Sequence, residues 1–184
     1  MIVSVFGSAA PTPEQTSYQE ALELGRLLGE NGFTVMTGGY CGTMEAVSRG
    51  ANEASGNVIG ITCRQIEDFR PTGPNAWVRQ VQATDLLSER IEVLTSKADA
   101  YIALPGGIGT LAEIAVVFNK MAISSIPSQV LILIGEGWKQ TFEAFFSGQA
   151  ENVSTRVRQI PQFAKDPQDA VRLLVKSLQE MKNG

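Results

Sequence analysis

Short apolar runs and longer amphipathic stretches alternate along the chain. "IVSVF" (2–6) reads as a strand. Thr12, Pro13 and Gln15 then resemble a helix start, followed by Ala21, Leu22, Leu24, Leu27 and Leu28 at helical spacing, with Gly32 as the stop. "FTVMT" (33–37) predicts a second strand, 43–54 a helix, and "VIGIT" (58–62) a third strand. Residues 63–76 carry two prolines and two arginines and read as one long irregular segment, a length at which loops are usually functional or mobile. "WVRQVQA" (77–83) alternates as a strand should, and 86–97 has helical spacing. "AYIAL" (100–104) predicts a buried strand, 110–124 a helix, and "QVLILI" (129–134) another buried strand. A helix near 139–147 and a weak apolar segment at "RQIPQF" (158–163) follow. The last helix opens with Asp166 as cap and Pro167 in its first turn, and runs to about Met181.

Strands that are apolar throughout, rather than alternating, belong in a parallel sheet covered by helices on both faces. The expected architecture is therefore a doubly wound, Rossmann-like α/β domain of about seven strands, one domain over 1–184. Ligands in such folds sit at the carboxyl ends of the strands, and three turns fall there: "FGSAAP", "TGGYCGT" and "PGGIGT".

Composition narrows the chemistry. With 43% hydrophobic and 18% charged residues the chain can build a core, and disorder is excluded. A net charge of −4 with a pI near 4.9 argues against a nucleic-acid partner, which needs clustered Lys and Arg, but leaves room for a small phosphate ligand. No apolar run approaches the roughly 18 residues of a membrane span, and the N-terminus lacks the basic start of a signal peptide. Cys41 and Cys63 have no paired metal spacing, so a cytoplasmic setting without metal or cofactor is the simplest expectation. There is no histidine, which removes imidazole bases and His-ligated zinc and leaves acid–base work to carboxylates.

A glycine turn opening a helix presents unpaired N–H groups at the positive end of the helix dipole, where a phosphate is favoured. Gly7 and Ser8 in the first turn, Gly38, Gly39 and Gly42 in the second, and Gly106, Gly107, Gly109 and Thr110 in the third are the candidates. None of the turns is a dinucleotide fingerprint or a P-loop. Thr110 and Glu113 also have capping-box spacing, so Glu113 has a purely structural reading in which it bonds back to the Thr110 N–H. Trp77 and Trp138 read as packing groups, Phe118 and Met121 as core, Cys41 as a small filler, and Arg70 and Arg79 as solvated.

Pro105-Gly106-Gly107-Ile108-Gly109-Thr110-Leu111-Ala112-Glu113 resembles the PGGxGTxxE motif of the LONELY GUY (LOG) family, whose members are often misnamed lysine decarboxylases. "SERIEVLTSKADAYIAL" is similar to that family's basic motif and following strand, with Arg90 at the arginine position, and "TGGYCGTMEAV" to its first glycine-rich turn. Ile91 stands where the family usually has lysine, and Ala112 where a second acid is common. The resemblance implies a homodimeric phosphoribohydrolase that cleaves nucleoside 5′-monophosphates, cytokinin ribotides in the best-known case, to free base and ribose 5-phosphate. It implies Glu113 and Arg90 as the catalytic positions. Glu113, just inside a helix N-terminus, is then expected to have a lowered pKa and to stay ionised. Related molybdenum-cofactor carriers imply the alternative of a protein that binds a nucleotide or that cofactor without cleaving it. "IEVLTSKA" beside "TLAEIAVVFNKMAI" offers a self-complementary surface for the dimer.

Overall fold

The computed structural model describes residues 1–126 and 130–183. Among them, seven parallel strands form one sheet in the order β4-β3-β2-β1-β5-β6-β7. The strands are β1 (Ile2–Phe6), β2 (Thr34–Thr37), β3 (Val58–Cys63), β4 (Gln80–Thr84), β5 (Ala100–Ala103), β6 (Val130–Ile134) and β7 (Pro161–Ala164). The helices between them are α1 (Thr16–Glu30), α2 (Thr43–Glu53), α3 (Arg64–Phe69), α4 (Leu87–Ser96), α5 (Ile108–Ala122), α6 (Glu136–Gly148), α7 (Thr155–Arg158) and α8 (Pro167–Asn183).

Each central strand presents apolar side chains to both faces, so the sheet separates two cores. Val3, Val5, Val35 and Ile132 face α1, α2 and α8 through Leu24, Leu28, Val47 and Leu174. Phe6, Met36, Tyr101 and Leu133 face α4, α5 and α6 through Leu94, Ile114, Val117 and Phe142. β5 and β6 are buried along their whole length, as the uninterrupted apolar runs require. The Trp138 indole crosses to the sheet and donates to the Leu104 carbonyl at 2.9 Å, which fixes α6 over β5. β7 begins at Pro161 and pairs only with β6, an edge position where the missing proline N–H breaks no ladder.

Local signals explain most boundaries. The Asp166 carboxylate accepts from the Asp169 N–H at 2.8 Å and caps α8. Gln15, not Thr12, is the N-cap of α1, with its own amide oxygen turned back to the Thr12 N–H. Three expectations move. The segment 63–76 is not irregular throughout, because its first part winds into α3. The strand expected from Trp77 starts at Gln80, where pairing with Ile59 begins. The strand expected from Gln129 is described from Val130, and Gln129 lies outside the described residues. No helix among the described residues is long and apolar enough to cross a membrane.

Candidate functional site

β1 lies between β2 and β5, and the helices that follow β1 and β5 go to opposite faces of the sheet. The chain diverges there, which opens a crevice at the carboxyl ends of these two strands, the usual ligand position of an open parallel sheet. A cleft of about 250 Å³ occupies it. Gly7, Ser8 and Ala9 line it from the turn after β1, Tyr40 from the β2–α2 turn, Met44 from the start of α2, Ile66 from α3 and Arg70 from its C-cap. Arg90 reaches it from α4, and Gly107, Gly109, Thr110 and Glu113 from α5.

The glycines divide into two jobs. Gly107 and Gly109 have open space where a Cβ would stand, so the first turn of α5 is bare toward the cleft. The first helical bond of α5 runs from the Leu111 N–H to the Gly107 carbonyl at 3.0 Å, so the N–H groups of Ile108, Gly109 and Thr110 precede the helical ladder. They form the donor end of the helix dipole. The other glycines bring parts together. A Cβ at Gly7 would overlap the Thr43 hydroxyl, which together with the Thr43 N–H bonds the Ser8 carbonyl and ties the first turn to the second. Gly42, at φ +71°, backs onto Ser8 and Ala9. Gly38 leaves room for the Arg90 guanidinium, and Gly106 for the Thr110 side chain. Gly7, Ser8, Gly107, Gly109 and Thr110 therefore face the cleft, whereas Gly38, Gly39, Gly42 and Gly106 do not line it and act as spacers.

At the bottom of the cleft Arg90 and Glu113 meet. Arg90 is 6% exposed, its Nε donating to the Ile61 carbonyl at 2.8 Å and its Nη2 to the Gly38 carbonyl at 3.1 Å. Its guanidinium lies over the Tyr40 ring at 5.5 Å from the centroid, a cation–π arrangement. Nη1 is left toward Glu113 Oε1 at 3.7 Å. Tyr40 is held in turn: its hydroxyl accepts from the Cys63 N–H at 2.6 Å and faces the Glu67 carboxylate at 3.1 Å. Asn75 clamps the same turn from outside, its amide donating to the carbonyls of Gly39 and Tyr40.

Two expectations about Glu113 are corrected here. α5 starts at Ile108 with Gly107 as N-cap, so Thr110 and Glu113 lie within the helix and form no capping box. The Glu113 carboxyl is not lowered by the dipole. It sits in the second turn, beyond the helix end where the dipole acts, and it is 8% exposed. Burial pushes it up to about 7, and the Arg90 guanidinium restrains that rise without cancelling it. Among the side chains of the cleft it is the group poised to exchange a proton near neutrality.

Arg70, read from sequence as a solvated residue, is exposed as expected, and it also lines the cleft from the C-cap of α3. Tyr40, Met44 and Ile66 also went unread, because an aromatic in a glycine turn and apolar residues in a helix carry no signal that separates a cleft wall from core. Trp77 stands outside the cleft, with Arg49 over its ring at 5.6 Å. Among the described residues no three His, Cys, Asp or Glu side chains are grouped so as to hold a metal ion.

The SLOG cluster4 family model matches residues 1–157. The chain is 35% identical over 133 residues to the cytokinin riboside 5′-monophosphate phosphoribohydrolase LOG of Oryza sativa, covering 71% of this chain but only 54% of the rice protein. It is 31% identical over 165 residues to LOG4 of Arabidopsis thaliana, of the same named activity, covering 88% of this chain and 76% of that one. Among solved structures, the molybdenum cofactor binding protein of Rippkaea orientalis superimposes with a TM-score of 0.73 at 27% identity over 96% of each chain.

Proposed function

We propose, because the chain belongs to the SLOG cluster4 family of LOG proteins, that it hydrolyses the N-glycosidic bond of nucleoside 5′-monophosphates. The observation that carries this reading is the buried Arg90–Glu113 pair, 3.7 Å apart, set in a cleft whose rim is the bare N-terminus of α5. The N–H groups of α5 and the Gly7–Ser8 turn suit a phosphate dianion. Glu113, three residues beyond Thr110, then stands by the sugar rather than the phosphate.

The reaction breaks the bond between C1′ and the base nitrogen, whose electron pair leaves with the base. Positive charge develops on C1′ and the ring oxygen, and the ionised Glu113 carboxylate stabilises it and accepts a proton from the attacking water. The water oxygen bonds to C1′, a proton returns to the departing base nitrogen, and the products are free base and ribose 5-phosphate. Arg90 holds the ribose hydroxyls or the phosphate with the guanidinium edge that is not occupied by Gly38 and Ile61. The relatives named as phosphoribohydrolases support the reaction class.

The likeness to the molybdenum cofactor binding protein supports a second reading, in which the same cleft carries a nucleotide or a molybdenum cofactor without cleaving it. Release of free base from a panel of 5′-monophosphates, read by chromatography beside calorimetric binding, separates the two. Hydrolysis predicts base release together with tighter binding of monophosphates than of the matching nucleosides. Firm binding with no release of any base retires the hydrolase.

Exposed apolar side chains adjoin cleft residues in sequence: Phe69, 90% exposed, precedes Arg70, and Ile108, 83% exposed, lies between Gly107 and Gly109. These extend the dimer surface argued for α4 and α5 to the rim of the site, and support a homodimer with the cleft at its interface.

A further inference from the structure

α3 is the element that the glycine-turn motifs leave unexplained. It is short, six residues, yet it is fixed from several sides. The Arg64 Nε donates to Asp85 at 2.9 Å, the Gln65 side chain accepts from the Leu87 N–H at 2.8 Å, and Glu67 receives the Tyr40 hydroxyl. Ile66, within α3, and Arg70, the extended residue that ends it, are the two of this segment that line the cleft. The Arg70 N–H donates to the Ile66 carbonyl at 2.8 Å, but its side chain makes no hydrogen bond or ion pair with any described residue, unlike those of Arg64 and Arg90.

The order of groups along the carboxyl edge of the sheet says what this end of the cleft meets. The bare N-terminus of α5 follows β5, and α3 follows β3, with β1 and β2 between them. The Arg90–Glu113 pair lies between these two ends, because Arg90 is anchored on carbonyls of the β2 and β3 ends and turns its Nη1 to α5. In a nucleoside monophosphate the scissile bond likewise lies between phosphate and base. With the phosphate at α5 and the sugar at Glu113, the base is carried to α3.

We infer that Ile66 and Arg70 form the base-recognition end of the cleft, and that Arg70 selects purines bearing a 6-oxo group, guanine or hypoxanthine, over those bearing a 6-amino group. Ile66 offers an apolar surface for the base face. The guanidinium carries only donors, in a planar fork. A 6-oxopurine presents two adjacent acceptors, O6 and N7, which the fork engages together. A 6-aminopurine sets a donor beside N7 and leaves one arm of the fork facing N–H. The inference rests on the reading of the cleft as a nucleoside monophosphate site, and it names the base within that class.

The test compares GMP and IMP with AMP on the full-length protein, by calorimetric affinity and by the rate of base release. The wild type is expected to favour the 6-oxo substrates about ten-fold or more, the lower part of what one bidentate base contact gives. In Arg70→Gln and in Arg70→Lys that ratio should collapse toward one, because glutamine loses the charge and lysine the fork. Both variants should fold, since the Arg70 side chain has no structural partner, and circular dichroism checks this. Equal wild-type handling of GMP and AMP overturns the inference, as does a ratio that survives Arg70→Gln. A ratio retained in Arg70→Lys overturns it too, because a mere charge then suffices. Failure to release base from any monophosphate is a different result: it defeats the hydrolase reading, while the affinity ratio still decides the role of Arg70.

Discussion

Replacing Glu113 with glutamine should raise stability above neutral pH and sharply lower turnover in the same variant. The carboxyl titrates near 7 in the folded chain because it is buried, against 4.5 as the ordinary value. A group whose folded pKa is raised favours the fold while protonated. That contribution is complete below about pH 4.5 and is lost as pH rises through about 7. The rise from 4.5 to about 7, at 1.36 kcal/mol per pH unit, makes the ionised wild type about 3 kcal/mol less stable at pH 8 than at pH 4.5 from this group alone. Glutamine has nearly the shape of the protonated acid and does not titrate, so Glu113→Gln should match the wild type near pH 5 and exceed it by up to about 3 kcal/mol at pH 8. For a chain of this length that is a rise in Tm of roughly 6–12 °C. Thermal melts of both proteins from pH 5 to 8 read it directly. Base release should meanwhile fall by roughly two orders of magnitude or more, since the charge that stabilises the transition state is gone. A variant less stable than the wild type at pH 8 would refute the burial argument. Undiminished turnover would refute the assignment of Glu113 to the chemistry.

The rate of base release at low substrate should climb with pH through about 7 and then level off, because the ionised carboxylate is the working form; a profile flat from pH 5 to 8 contradicts this. Gly109→Ala puts a methyl into open space on the cleft side of α5. It should raise stability by roughly 0.5–1 kcal/mol through helix propensity while weakening monophosphate affinity about ten-fold, measured by melting and calorimetry. Gly42→Ala should do the reverse, losing about 1–3 kcal/mol, because its φ of +71° and the contact with Ser8 and Ala9 leave no room for a side chain. Light scattering at micromolar concentration should give a dimer mass, and Phe69→Asp with Ile108→Asp should shift it to the monomer.

What the sequence disclosed follows from how locally each feature is determined. The apolar runs of β5 and β6 and the glycine turns at strand ends are local patterns with few alternative structures, so the doubly wound sheet and the position of the site were readable. Arg90 and Glu113 were reached through the PGGxGT turn and the basic motif; their meeting is a product of packing α4 against α5. The protonation of Glu113 was misread because the dipole is visible in a one-dimensional pattern, while burial, the larger effect here, depends on what the rest of the chain places over the carboxyl. α3 escaped for a related reason. Its six residues are too few for helical periodicity to show, and its helical form is supported by contacts with Asp85, Leu87 and Tyr40, distant in sequence. The place of Arg70 beside the cleft went unread with it.

The two members of the buried pair differ in how they are tied to the scaffold. Arg90 joins the carbonyls of Ile61 and Gly38, so it fastens the ends of two strands and fills the space that Gly38 leaves open. Glu113 bonds no backbone group and weakens the fold whenever it is ionised. Selection therefore acts on them separately. A descendant that stopped cleaving its ligand would gain by exchanging the acid for a neutral residue, while the arginine would persist as a structural member. Loss of the glutamate beside a retained arginine is the mark that such a lineage would leave in its sequence.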